Sequence, residues 1–177
     1  MSVSLTENTH LVPPSKKSSE SFLRAAKHNG YDLRPSLDKE KDQDIDYVVW
    51  DPADKESAFA VSIKNTLLKK SKKRKHLWGW IELRNRHGET GWIATKCTFI
   101  VYERKNDFVL IFKNDLRKWI EVDNVGRWDL PFVDSGWKAA YRLYRRPNTQ
   151  EAIFHLKISD ALKKCRHHIW PKHERGS

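Results

Sequence analysis

Cysteine is scarce in this chain of 177 residues: Cys97 and Cys165 are the only two. That excludes a disulfide framework, and their separation is no metal-ligand spacing, so both are expected to be reduced packing residues. No apolar run is long enough to span a bilayer, and the N-terminus lacks the basic-then-apolar layout of a signal peptide. Neither membrane insertion nor secretion is indicated, and a cytoplasmic location is expected. Glycine supplies seven residues and forms no phosphate-cradling loop. His-Glu-x-x-His, a Ser-centred elbow and internal repeats are absent as well. Acid is in deficit, with 23 Asp and Glu against 34 Lys and Arg and a formal charge of +11. A positive field follows, and polyanions are the natural partner class.

What is present in excess is tryptophan, at eight residues, which serves either a core or a stacking surface for bases. The length fits one domain with a real core. Residues 1–17 read as a flexible tail, 18–165 as the domain and 166–177 as a basic C-terminal tail whose His167, His168 and His173 lack partners at a metal spacing.

The stretch from 44 to 64, DIDYVVWDPADKESAFAVSIK, reads as two strands, 45–50 and 58–64, joined by a polar turn containing Pro52. Closing symmetrically about Asp54 sets Asp46 opposite Ser62, and the two-residue alternation puts Lys64 on the same face. An acid, a hydroxyl and an amine therefore converge. Before the hairpin, a helix from Ser18 carries Phe22, Leu23, Ala25 and Ala26 on one stripe and stops at Asn29-Gly30. Glu20 lies in its first turn, either as a helix-end charge or as a carboxylate turned to the site. Residues 31–44 read as a connector.

After the hairpin comes the densest positive run, Lys69, Lys70, Lys72, Lys73, Arg74 and Lys75. A solvated loop, a localisation signal and a phosphate grip are the competing readings, and the grip is favoured by its place directly behind Lys64. Leu77 to Arg84 reads as a third strand whose Glu82 is either paired with Arg84 or a lysine, or a metal ligand. Residues 98–103 and 108–112 form a second hairpin, 114–122 a helix, 140–145 and 153–156 a third hairpin, and 158–164 a terminal helix. The fold class expected is α/β (α+β), a central mixed sheet of about five strands flanked by helices.

Glu20 on a helix, Asp46 on a strand, a turn, a strand ending in Lys64 and a following apolar strand resemble the catalytic core of the PD-(D/E)XK nuclease superfamily. From Phe22 to Lys157 the chain is similar to its small phage or mobile-element members, through Trp80-Ile81-Glu82-Leu83-Arg84-Asn85-Arg86-His87-Gly88-Glu89-Thr90-Gly91-Trp92, a W-x-E-x-x-N-x-x-G-x-x-G-W segment. The resemblance implies a restriction-endonuclease-like core and an endonuclease that hydrolyses DNA phosphodiesters with Mg²⁺ or Mn²⁺. It implies the cytoplasm of a bacterial host for a phage-encoded chain and a homodimer as a further state; apart from the resemblance, the basic surface also suits RNA or an acidic protein. By the same resemblance Asp46 is the first metal acid, Lys64 the catalytic lysine, Glu20 the accessory acid, and Lys96 the lysine after the Gly-Trp turn. The chain departs at Ser62, where the superfamily carries Asp or Glu. A hydroxyl is a neutral ligand, so Glu82 or Glu20 must complete the site, or the fold is a degenerate nuclease used for DNA binding or protein interaction.

Overall fold

The computed structural model describes residues 16–64, 66–70 and 75–172. Its centre is a six-stranded mixed sheet in the order β1-β2-β3-β6-β7-β9, built from β1 (Asp32–Pro35), β2 (Tyr47–Asp51), β3 (Asp54–Lys64), β6 (Phe99–Glu103), β7 (Asp107–Phe112) and β9 (His167–Pro171). A second sheet, in the order β4-β5-β8, contains β4 (Thr66–Lys70), β5 (Lys75–Arg84) and β8 (Ala152–Lys157). The α+β class with a mixed central sheet is as expected. The third strand, however, does not join that sheet: β5 pairs with β4 and β8 instead.

The hairpin keeps the symmetric register, with Tyr47 opposite Val61, Val48 opposite Ala60 and Val49 opposite Phe59. It closes more tightly than the sequence suggests. A bulge after Val49 lets Asp51 pair with Asp54, and the Asp51 carboxylate accepts the Ala53 amide at 2.8 Å, an Asx turn around Pro52. Residues 54–57 therefore belong to β3. The β3–β6 pair is parallel, with Ser62 opposite Ile100 and Lys64 opposite Tyr102. Strands β6 and β7 are covered on both faces, so they read as continuous apolar runs and not as alternations.

Two apolar clusters flank the sheet. On one face α1 (Lys16–His28) packs Phe22, Ala25 and Ala26 against Val61, Ile63, Phe99, Val101 and Phe108. On the other face Ile100, Tyr102, Val109 and Ile111 meet Ile81, Phe154 and Leu156 of the second sheet. Leu116 and Ile120 of α3 (Lys113–Val122) and Ile158 and Ala161 of α4 (Ile158–Lys164) complete that cluster. No helix among the described residues is long and apolar enough to cross a membrane.

Three further segments differ from expectation. The connector at 31–44 holds β1 and α2 (Asp38–Lys41), fastened by a bidentate Arg34–Glu40 pair with both bonds at 2.8 Å. Polar composition hides such an element, because its order comes from paired charges and not from a stripe. Residues 140–145 make only isolated bridges, from Ala140 to His155 and from Tyr144 to Val133 and Ile153. Tyr141 lies between them at φ 52°, a left-handed conformation that breaks an extended run. The basic end opens with β9, whose Trp170 stacks on Phe22 and is buried, so the sheet extends through a stretch read as tail. Of the expected N-terminal tail, residues 1–15 lie outside the described residues, as does His173.

The two sheets touch closely at Gly79, where an added Cβ would stand 2.7 Å from the Tyr102 ring and 2.9 Å from Ile158. Gly79→Ala is expected to destabilise the protein by about 1–3 kcal/mol through overpacking. Urea unfolding should show a lower midpoint at an unchanged slope.

Candidate active site

Along the end of β3 the side chains alternate. Val61 and Ile63 enter the cluster under α1, which leaves Ser62 and Lys64 on the opposite face, at 0% and 6% exposure. A buried ammonium demands compensation, since desolvation disfavours its charge. Lys64 obtains it from the Asp44 carboxylate, with which it forms an ion pair, and from the Trp92 ring, whose centroid lies 4.9 Å from Nζ. The same Asp44 oxygen accepts the Ser62 hydroxyl at 3.2 Å. Asp44 is turned toward them by a left-handed backbone, φ 56°, at the exit from α2. Its side chain remains 43% exposed, so the site opens to solvent at that residue.

Asp46 stands where the β2 backbone begins, and its carboxylate accepts the Ile63 amide at 2.6 Å. Burial raises its pKa above the ordinary carboxylate range, against the opposing pull of that amide and of Lys64, while Asp44 pushes in the same direction as burial. Glu82 on β5 is 6% exposed. Burial raises its pKa too, the Trp92 amide and the Lys64 ammonium lower it, and Asp44 and Glu151 raise it further. Three carboxylates, Asp44, Asp46 and Glu82, thus share the field of one lysine.

The W-x-E-x-x-N-x-x-G-x-x-G-W segment acquires a physical account. Glu82 supplies the charge. Asn85 shapes the turn, its side-chain oxygen accepting the His87 and Glu89 amides at 3.0 Å each and its amide donating to Glu89 at 2.8 Å. At Gly91 a Cβ would collide with the Glu82 backbone carbonyl, so only glycine lets the chain fold back there. That return places Trp92, in the 3-10 turn Trp92–Ala94, against Lys64.

The structure therefore brings Asp46, Ser62, Lys64 and Glu82 together and adds Asp44, which the sequence reading left in the connector. The only sequence signal for Asp44 is its place two residues before Asp46. Glu20 does not join them: it is exposed on α1, which covers the Val61 and Ile63 face of the sheet. Lys96 is exposed in the loop after the 3-10 turn, between Thr95, which donates to the Gln43 carbonyl, and buried Cys97, whose thiol burial pushes up to about 12. Of the basic run, Lys69 and Lys70 are in β4 and Lys75 in β5, with Lys70 opposite Lys75. Lys72, Lys73 and Arg74 lie outside the described residues. The ends of the run are thus strand, paired with Thr66 opposite Gly79.

The donor chemistry of Asp44, Asp46 and Glu82 fits a hard cation: three carboxylates, buried at Glu82 and partly exposed at Asp44, stand around a single lysine. Among the described residues no three His, Cys, Asp or Glu side chains form a ready cage; Asp44 is engaged by Lys64 and Ser62, and one Asp46 oxygen by Ile63. Comparison with protein-family models, curated proteins and solved structures yields no match.

Because burial holds the Glu82 pKa above that of the unfolded chain, the folded state binds this proton more tightly. Its contribution to stability is full below the unfolded value, about pH 4, and is lost as pH rises through the folded value. Glu82→Gln keeps an acceptor for the Trp92 amide and removes the buried charge. Its melting temperature at neutral pH is expected to exceed that of the parent, with the gain shrinking as the pH approaches 4.

Proposed function

We propose that the protein binds nucleic acid and hydrolyses its phosphodiester backbone with a divalent metal, as a small nuclease of restriction-endonuclease-like character. The observation that carries this reading is the convergence of Asp44, Asp46 and Glu82 around buried Lys64. Asp46 and Glu82, held above their ordinary pKa by burial beside a lysine, are costly to the fold, and such groups are characteristic of functional sites. The net charge of +11 and the lysines of the β4–β5 hairpin, one strand beyond Lys64, support a polyanionic substrate.

Asp46, Glu82 and Asp44 are the residues that would hold Mg²⁺ or Mn²⁺. When bound, such an ion offsets charge on the phosphate and lowers the pKa of a coordinated water. Lys64 neutralises a phosphate oxygen or orients the attacking water once Asp44 turns away from it, and Trp92 keeps bulk water from its ammonium. Ser62, in place of an acid, contributes a hydroxyl that positions Asp44. DNA is the substrate proposed first, and RNA is an outcome of the assay.

A second reading, a nuclease fold that binds without cutting, is favoured by one observation: Lys64 and Asp44 already neutralise each other. The two readings separate on incubation with plasmid, linear, branched and single-stranded DNA, and with RNA, at low salt with Mg²⁺ or Mn²⁺. The hydrolase reading expects cutting of at least one substrate. Asp46→Asn, Glu82→Gln and Lys64→Ala should each slow it by about 100-fold or more while binding persists. Intact binding with no cleavage of any substrate overturns it. A gain of cleavage in Ser62→Asp would then identify a degenerate site.

A further inference from the structure

Away from Lys64, a cavity of about 620 Å³ opens between the end of α3, the loop that follows it, residues 140–142 and α4. Its volume is that of a small-ligand site. Trp119 and Tyr141 supply ring surface, and Arg127, Arg142, Lys163 and Lys164 supply positive charge. Asp123 and Asp160 also line it. Asp160 is occupied, accepting the Tyr141 hydroxyl and lying 4.0 Å from Lys163, and Arg127 is paired with Asp129 at 3.1 Å. Arg142 is less satisfied: one terminal nitrogen donates to the Pro131 carbonyl at 2.9 Å, while its buried Nε has no hydrogen-bond partner. An orphaned donor of this kind is costly unless it serves something.

The backbone points the same way. Among the described residues five that are not glycine have positive φ, and three of them, Asn124, Arg127 and Tyr141, line this cavity. Left-handed conformations in such residues cost energy and cluster where a binding surface has to be held open. Position adds a third observation. Lys113, at the opposite end of α3, donates to the Thr95 carbonyl at 2.9 Å, and the Thr95 hydroxyl donates to the carbonyl of Gln43, the neighbour of Asp44. The ten residues of α3 span about 15 Å, so the cavity and the Asp44–Lys64 site stand at the two ends of one helix.

From these observations we infer that the cavity binds a phosphorylated nucleoside: its base against Trp119, its phosphate against Arg142, Lys163 and Lys164. A ring plane beside a cation cluster recognises that chemistry whether the nucleotide is free or part of a single strand. The choice of a nucleotide rests on the nucleic-acid reading above, but the test does not use cleavage.

Anisotropy of a labelled short oligothymidylate, in EDTA so that no metal-dependent cutting occurs, measures strand binding; calorimetry with thymidine 5′-monophosphate measures the free nucleotide. The wild-type chain should bind at least one. Lys163→Ala/Lys164→Ala, at two exposed positions, and Trp119→Leu should each weaken that binding by about fivefold or more. The lysine pair should also lower the salt dependence of oligonucleotide binding, whereas Lys69→Ala/Lys70→Ala should leave mononucleotide binding unchanged. Binding of oligonucleotide alone marks a strand subsite, and binding of mononucleotide marks a nucleotide pocket. If neither ligand binds, or if both bind the wild type and the lysine-pair variant equally, the inference is overturned. Loss of cleavage in Asp46→Asn with cavity binding intact, or the reverse, separates this site from the hydrolytic one.

Discussion

An ammonium buried at the end of a central strand is the constraint that the surrounding structure answers. Lys64 cannot leave its face, because β3 is locked in parallel register against β6 and a shift of one residue would exchange Ser62 and Lys64 with Val61 and Ile63. Its charge must therefore be met where it stands. The Arg34–Glu40 pair anchors α2, the turn out of α2 puts Asp44 in a left-handed conformation, and that conformation delivers the carboxylate to Lys64. From the other side Asn85 and Gly91 return the chain so that Trp92 lies against the same lysine. Segments from opposite sides of β3 thus converge on one charge.

A single buried pair would be a neutral arrangement of little net value to stability. What distinguishes this one is the surplus of acid. Asp46 and Glu82 are both pushed toward protonation by burial, and Asp44 adds to that push in each case. Apolar or amide side chains would fold more comfortably at both positions. Asp44 itself remains partly exposed, so the cluster meets solvent at that residue.

The division into two sheets sets the β4–β5 hairpin next in the chain to the strand that carries Lys64. The chain leaves Lys64 and enters β4 almost at once, so the lysine-bearing hairpin is attached directly to the strand that carries the site. On the same side of the central sheet α3 connects the loop beside Asp44 to the cavity flanked by α4. The lysines of the β4–β5 hairpin and the basic residues that line the cavity thus belong to two separate parts of the chain, one following Lys64 directly and one at the far end of α3.

Local pattern was sufficient for the hairpin. Side chains alternate with a period of two, and a tight turn leaves little choice of register, so Asp46, Ser62 and Lys64 could be set together from the string alone. The α+β class and the β6–β7 pair follow from the same kind of short-range information. Glu82 could not be placed this way, because β5 pairs through a charged run that does not set register and then with β8, about seventy positions along the chain. Asp44 gave no periodic signal, since its direction comes from one left-handed residue outside any strand. Glu20 reads as a helix-start carboxylate, but α1 begins at Lys16 and has no acid in its first turn, and nothing in a sequence states which face of a sheet a helix will cover. Composition and alternation determined the hairpin, the β6–β7 pair, the net charge and three members of the site; long-range pairing and a single backbone dihedral decided that Asp44 and Glu82, and not Glu20, surround Lys64.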